Sequence, residues 1–156
     1  MKARLNPYKA SPEVMKAIEA LEKAVVESGI EPSLIELVKT RASQINGCAF
    51  CIHMHTRDAR AHGETEERLY LLDAWHESPL YNERERAALA WTESLTLIAE
   101  SEHGVADEVY QDAISVFSDE ELAHLTGQVV VINAWNRIAI AYRFAPQVKA
   151  ASAQAA

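Results

Sequence analysis

Two cysteines three residues apart, in Cys48-Ala49-Phe50-Cys51, and a histidine four residues further on, His55, are the side chains of this sequence best placed to do chemistry. No other cysteine is present, and a random pair on a chain of this length falls three apart in roughly one placement in eighty. A C-x-x-C pair can close a small disulfide ring, and either sulfur can form a sulfenic acid or a mixed disulfide. The thiolate is the reactive form, so its stabilisation decides which sulfur acts. A helix starting just past Gly47 would hold Cys48 at its N-terminus, beside unpaired N–H groups and the positive end of the dipole, with the better access. Cys51 lies one turn on, within disulfide reach after a modest rotation, and His55 at i+4 can bring its imidazole to that sulfur. His55 is two turns from Cys48, and His53 points to a different face. Helix position favours ionisation of Cys48; the neighbouring base favours activation of Cys51. The order stays open.

These residues need helices to hold them, and the chain reads as helices throughout. Ser11-Pro12-Glu13 is a helix start, with Val14, Ala17, Ile18, Leu21 and Val25 on one face and Gly29 as the stop. Pro32 opens a second helix carrying Leu34, Leu37 and Val38, and Gly47 turns the chain into the cysteine helix, which runs to His62-Gly63. Thr65 starts a helix through Leu69, Leu72 and Trp75. Asn82 with Glu85, and Ser118 with Glu121, have the spacing of capping boxes; the second opens a long helix to about Phe144. A shorter helix with Val109, Ala113 and Val116 lies between them. The apolar run Val129–Ile132 sits inside the long helix, which must be buried centrally or at a subunit contact. No period-two stretch or hairpin signal competes. The expected fold is all-α, a helical bundle of about seven helices in a single domain over residues 1–145, followed by a frayed tail over 146–156.

Composition sets the outer bounds. The 156 residues can bury about two-thirds of the surface of the unfolded chain in one domain. A formal charge of -8 argues against a phosphate-backbone binder, so no nucleic acid is expected as partner. No secretory leader and no membrane-length apolar stretch is read, so no membrane is expected and a cytoplasmic, reducing location is the default. Two cysteines there point to catalysis or metal binding rather than to a structural staple.

Glu36, separated by eleven intervening residues from Cys48-Ala49-Phe50-Cys51 and followed by His55, completes a pattern that resembles the motif of alkylhydroperoxidase D-like proteins of the carboxymuconolactone decarboxylase superfamily. Asn46-Gly47-Cys48, the helix start Asn82–Ala90 and Asn133-Ala134-Trp135-Asn136-Arg137 share the likeness, which runs from about Arg4 to Phe144. The resemblance implies an all-helical fold assembling as a homo-trimer or homo-hexamer, and a thiol peroxidase or disulfide reductase needing no cofactor. It implies that Cys51 attacks a hydroperoxide, that Cys48 condenses with the resulting sulfenic acid, and that Glu36 and His55 relay protons. A dithiol partner, a lipoylated protein in some relatives, would then reduce the disulfide. Phe50 departs from the pattern, because some alkylhydroperoxidases carry histidine there. The decarboxylase branch typically lacks the cysteine pair, so Cys48 and Cys51 argue against that activity.

Glu36 also has a physical logic of its own. A turn at Gly47 packs its helix against the cysteine helix, where a partly buried carboxylate can hold the imidazole tautomer and raise its basicity. Two other readings compete. Cys48, Cys51 and His55 could bind zinc with Glu36 or His53 as the fourth ligand, although a structural zinc site usually has two ligand pairs. A non-enzymatic redox-sensing oligomer is the third. His62, His76, His103 and His124 are read as surface or capping residues, His53 and Met54 as packing or subunit-contact residues, and the Glu83–Arg86 run as a solvated first turn. Asn133 and Arg137, one turn apart on the apolar helix, are candidates for a buried polar contact, within the chain or between subunits.

Overall fold

Every capping signal of the sequence opens a helix in the computed structural model, which describes residues 2–26, 29–146 and 148. Among the described residues eight α-helices follow in order: α1 (Pro7–Ala10), α2 (Pro12–Val26), α3 (Pro32–Ile45), α4 (Ala49–Ala61), α5 (Glu66–Leu71), α6 (Glu83–Thr96), α7 (Asp107–Val116) and α8 (Asp119–Tyr142). Single 3-10 turns continue α5 (Leu72–Ala74) and α6 (Ile98–Glu100), and the described residues contain no strand. Both capping boxes form, with reciprocal bonds at Asn82/Glu85 and Ser118/Glu121. The tail expected to fray lies outside the described residues apart from Pro146 and Val148.

α1 is the element that the pattern did not mark. Asn6 caps it, accepting from the Lys9 N–H at 3.3 Å, and Pro7 supplies the preset φ of a first helical turn. Four residues are too few to carry a periodic stripe. Just before α1, Arg4 ties this segment to the end of α8: its amide donates to Tyr142 O at 3.1 Å and its guanidinium to Ala141 O at 3.1 Å.

α3 is the hub. Ile35 and Val38 pack in one cluster with Ala88, Trp91, Leu125 and Val129 of α6 and α8. Leu37 joins Ala59, Leu72, Trp75 and Leu89, and Ala42 joins both cysteines, Ile132 and Ala139. Leu37, Leu89 and Leu125 are fully buried, each contributing about 1.5–3 kcal/mol of transfer free energy. α8 crosses the core, with Val129, Val131 and Ile132 buried but Val130 54% exposed. Close passage of α2 over α8 requires Gly127: a Cβ there would lie 2.5 Å from Val25 Cγ1.

Two expectations are corrected. α2 does not turn Val14, Ala17 and Leu21 inward; these are exposed, and Met15, Ile18, Glu22 and Val25 form the packed stripe instead. The reason is a carboxylate in that stripe, described below. Nor is the Glu83–Arg86 run simply solvated. Arg84 bonds Glu121 at 2.6 Å and Val116 O at 2.6 Å, and lies over the Phe117 ring. Arg86 donates to the carbonyls of Trp75, His76 and Ser78. These arginines fasten the loop before α6 and the end of α7. Among the described residues, no helix is long and apolar enough to cross a membrane.

Candidate functional site

Gly47 takes a positive φ of 68°, a conformation that costs a side-chain-bearing residue energy, and so reverses the chain between α3 and α4. Cys48 follows as the N-cap of α4, and its Sγ accepts from the Cys51 N–H at 3.4 Å. Both thiols are free and almost wholly buried, with relative exposures of 1% and 2%. The two thiols titrate together, and a proton held between neighbouring sulfurs makes the pair asymmetric. The Cys48 thiol is lowered from 9.0 to about 7, chiefly by the hydrogen bond that the Cys51 thiol donates, against the opposing effect of burial. Backbone N–H groups of Cys51 and Phe50 and the Asn136 side chain add to it. Cys51 is pushed up as donor to that thiolate, by burial and by the charge beside it. The two shifts favour the thiolate on Cys48 over Cys51.

His55 is buried one turn beyond Cys51, and its Nδ1 is 2.8 Å from Glu36 Oε2. Glu36 comes from α3, so the hairpin at Gly47 brings the acid to the imidazole. With Nδ1 committed to a carboxylate, Nε2 is left as the basic nitrogen.

The pair meets the outside through one cavity of about 390 Å³. Its walls are largely apolar: Phe50 and Met54 of α4, Trp135 and Ala139 of α8, and Phe144 beyond them. The Phe50 and Phe144 rings meet edge to face with centroids 5.6 Å apart. Tyr8 of α1, Cys51, His55 and Glu22 complete the lining. Cys51, not Cys48, lines this space. The better access expected for Cys48 is thus reversed, because the N-cap position that stabilises its charge also turns its sulfur into the Ala42–Ile132 packing.

Glu22 was not anticipated. Its carboxylate is ion-paired with Lys39, itself only 4% exposed, and accepts from Trp135 Nε1 at 3.0 Å. A glutamate and a lysine on two amphipathic helices read as solvent-facing, and nothing in their spacing within either helix shows that they meet. Asn136, named in the sequence only as part of the Asn133–Arg137 motif, is fully buried, donates to Ser43 Oγ at 3.0 Å and accepts from Asn46 Nδ2 at 2.9 Å. Its neighbour Asn133 does take up Arg137, which donates to it at 2.9 Å, but within this chain.

His53 is half-buried on another face of α4, in a cleft with Thr56, Arg57 and Arg60, while Met54 belongs to the thiol cavity. Among the described residues no group of three His, Cys, Asp or Glu side chains is gathered as a metal site, so the zinc arrangement finds no ligand set.

Comparison with known proteins agrees with this layout. The profile of the carboxymuconolactone decarboxylase family matches residues 12–94. The uncharacterized protein YdfG of Bacillus subtilis (strain 168) is 45% identical over 141 residues, 90% of this chain and 95% of its own. A crystal structure from Agrobacterium tumefaciens, of a protein described as of unknown function and a candidate antioxidant defence protein AhpD, superposes with a TM-score of 0.90 at 46% identity. That match covers 95% of this chain and 100% of the other. A peroxidase-related protein from Silicibacter sp. TM1040 shares the fold at 21% identity and a TM-score of 0.77, over 90% of this chain and 74% of its own.

Proposed function

The chain belongs to the carboxymuconolactone decarboxylase family, and from that premise we propose that it is a thiol-dependent oxidoreductase of the alkylhydroperoxidase D kind, reducing hydroperoxides through Cys48 and Cys51. The observation that carries this reading is the buried, hydrogen-bonded thiol pair at a helix N-terminus, reached at Cys51 beside His55 through an apolar cavity. The 46%-identical candidate antioxidant protein supports it.

The resting thiolate is on Cys48 and the open sulfur is Cys51, so the reaction begins with a proton shift. Passage of the Cys51 proton to Cys48 creates a thiolate at the cavity without forming a dianion. That thiolate attacks the terminal oxygen of ROOH; the S–O bond forms, the O–O bond breaks, and Cys51 becomes a sulfenic acid. His55, its ring held by Glu36, passes the proton from Cys48 to the departing alkoxide, giving ROH. Cys48, again a thiolate, attacks the sulfenic sulfur and displaces hydroxide, which is protonated to water. A disulfide results, with two thiols oxidised for each peroxide reduced. An external dithiol is oxidised in turn to restore the pair.

The apolar wall at Phe50 leaves His55 as the imidazole of the relay. A dithiol or lipoylated protein is the proposed reductant, working in a reducing cytoplasm. Assembly as a homo-trimer or homo-hexamer is proposed as well, supported by exposed apolar side chains such as Val14, Val130 and Ile140.

The test is peroxide turnover with dihydrolipoamide or dithiothreitol as reductant. Cys51→Ser should abolish peroxide reduction, and Cys48→Ser should stop at a sulfenic acid that dimedone traps. Undiminished turnover by Cys51→Ser sinks the proposed order of attack.

A further inference from the structure

The thiol cavity carries a charge that the peroxidase mechanism above does not use. Glu22 of α2 stands in its wall beside Phe50, Met54 and Trp135. Both carboxylate oxygens are committed: one is ion-paired with Lys39 of α3, and the other accepts from Trp135 Nε1 at 3.0 Å. The two charges are not equally placed. The Lys39 side chain is 5% exposed and stays out of the cavity lining, whereas the Glu22 side chain is 29% exposed and belongs to it. An entering molecule therefore meets the carboxylate first and the ammonium only behind it.

An ion pair set into apolar packing is a weak source of stability, because well-packed apolar side chains of similar volume commonly do as well. Its position points to another use. Among the described residues lining the cavity there is no lysine or arginine, and His55 has its Nδ1 on Glu36. A carboxylate carried in on a substrate would lose its water, find no cation on the wall and face Glu22. An anion desolvated without a partner is costly. A neutral apolar group meets no such cost there and gains contact with Phe50, Trp135 and Phe144. The hydrogen bond from Trp135 holds the carboxylate in the wall.

We propose that Glu22 is a specificity-determining residue: with Lys39 behind it, its carboxylate makes the cavity a charge filter that admits neutral, apolar hydroperoxides to Cys51 and turns away those bearing a carboxylate. This rests on the thiol-oxidoreductase reading, with Cys51 as the sulfur that substrate reaches.

The experiment takes two readouts on the full-length protein. The first needs no peroxide. In a Cys48→Ser background Cys51 is the single thiol. Its alkylation by neutral iodoacetamide is compared with that by iodoacetate, which is nearly the same size but anionic, each rate taken relative to free cysteine. Glu22→Gln, which keeps an oxygen for Trp135, should raise the iodoacetate-to-iodoacetamide ratio roughly fivefold. That variant leaves Lys39 unpaired, so Glu22→Gln combined with Lys39→Met is measured beside it. The double variant removes both charges, carries the same expectation, and decides the matter should the single one not fold. An unchanged ratio in a folded variant overturns the proposal. So does a rise in the single variant that the double one lacks, because the unpaired lysine then accounts for it. The second readout, with Cys48 in place, is turnover of cumene hydroperoxide against its para-carboxylate analogue, and the same substitutions should narrow the preference for the neutral peroxide. A shifted alkylation ratio in a protein inert to every hydroperoxide supports the filter and sinks the peroxidase reading. An active enzyme with unshifted ratios sinks this inference alone.

Discussion

Replacing Cys51 by alanine should cost Cys48 most of its acidity, whereas replacing it by serine should not. The Cys51 thiol is the leading cause of the lowered Cys48 value of about 7, against 9.0 for an ordinary cysteine. At pH 7 that difference separates a half-ionised sulfur from one ionised in roughly one molecule in a hundred. A hydrogen bond to a charged group contributes about 1.5–3 kcal/mol, and 1.36 kcal/mol is one pKa unit, so losing the donor should raise Cys48 by roughly one to two units. Burial remains in the alanine variant and opposes ionisation throughout, which places the expected value near or above that of a free thiol. Serine keeps an O–H at the same place, and backbone N–H groups and Asn136 remain in both. Each variant has a single thiol, so the rise of thiolate absorbance with pH reports Cys48 alone. The expected result is a midpoint near neutrality for Cys51→Ser and a clearly higher one for Cys51→Ala. Equal midpoints would refute the reasoning, since they would mean that the helix terminus sets the acidity without help from the second sulfur.

Three further outcomes are expected. His55→Ala should lower turnover about a hundredfold, and Glu36→Gln should lower it less while shifting the pH–rate profile, because the 2.8 Å contact only orients and polarises the ring. Lys39→Met should destabilise the fold by roughly 2–3 kcal/mol, below the usual range for breaking a buried pair because the Glu22 side chain is 29% exposed. That corresponds to a fall of about 5–10 °C in Tm, and Glu22→Leu added to it should recover part, which a double-mutant cycle would measure. Finally, a folded thiol at about 7 against 9.0 unfolded is a depressed value, so its contribution is lost as pH falls through 7 and grows as pH rises toward 9. Above that, the raised Cys51 makes the folded state hold a proton the unfolded chain releases, and the gain reverses. Denaturant midpoints of wild type measured against the double cysteine variant should show that rise and reversal.

Local signals carried far in this sequence. The capping boxes at Asn82 and Ser118 and the turn at Gly47 depend on residues a few positions apart, and each stands where its spacing puts it. The same holds for the succession Cys48, Cys51, His55 on one helix, and Glu36 reaches His55 because a tight turn makes α3 and α4 neighbours. What was illegible depends on side chains meeting across the fold. The inner face of α2 was misjudged because Glu22 lies in it, and a carboxylate in a buried stripe is intelligible only once Lys39 and Trp135 are seen against it. Arg84 and Arg86 looked like surface charge because their partners are a distant glutamate and loop carbonyls. Asn136 gave no signal beyond its place in the Asn133–Arg137 motif. Its meaning comes from Asn46, ninety positions away.

The cavity draws its wall from both ends of the chain, Tyr8 near one and Phe144 near the other, with Arg4 bonded to Ala141 and Tyr142 between them. This has a practical side for anyone preparing the protein. A label or fusion placed beside Arg4 or Phe144 would act on the wall of the cavity proposed to admit substrate. Under the proposed function, preparations that differ at these two segments should differ in turnover. The untagged chain is the reference against which every variant above should be measured.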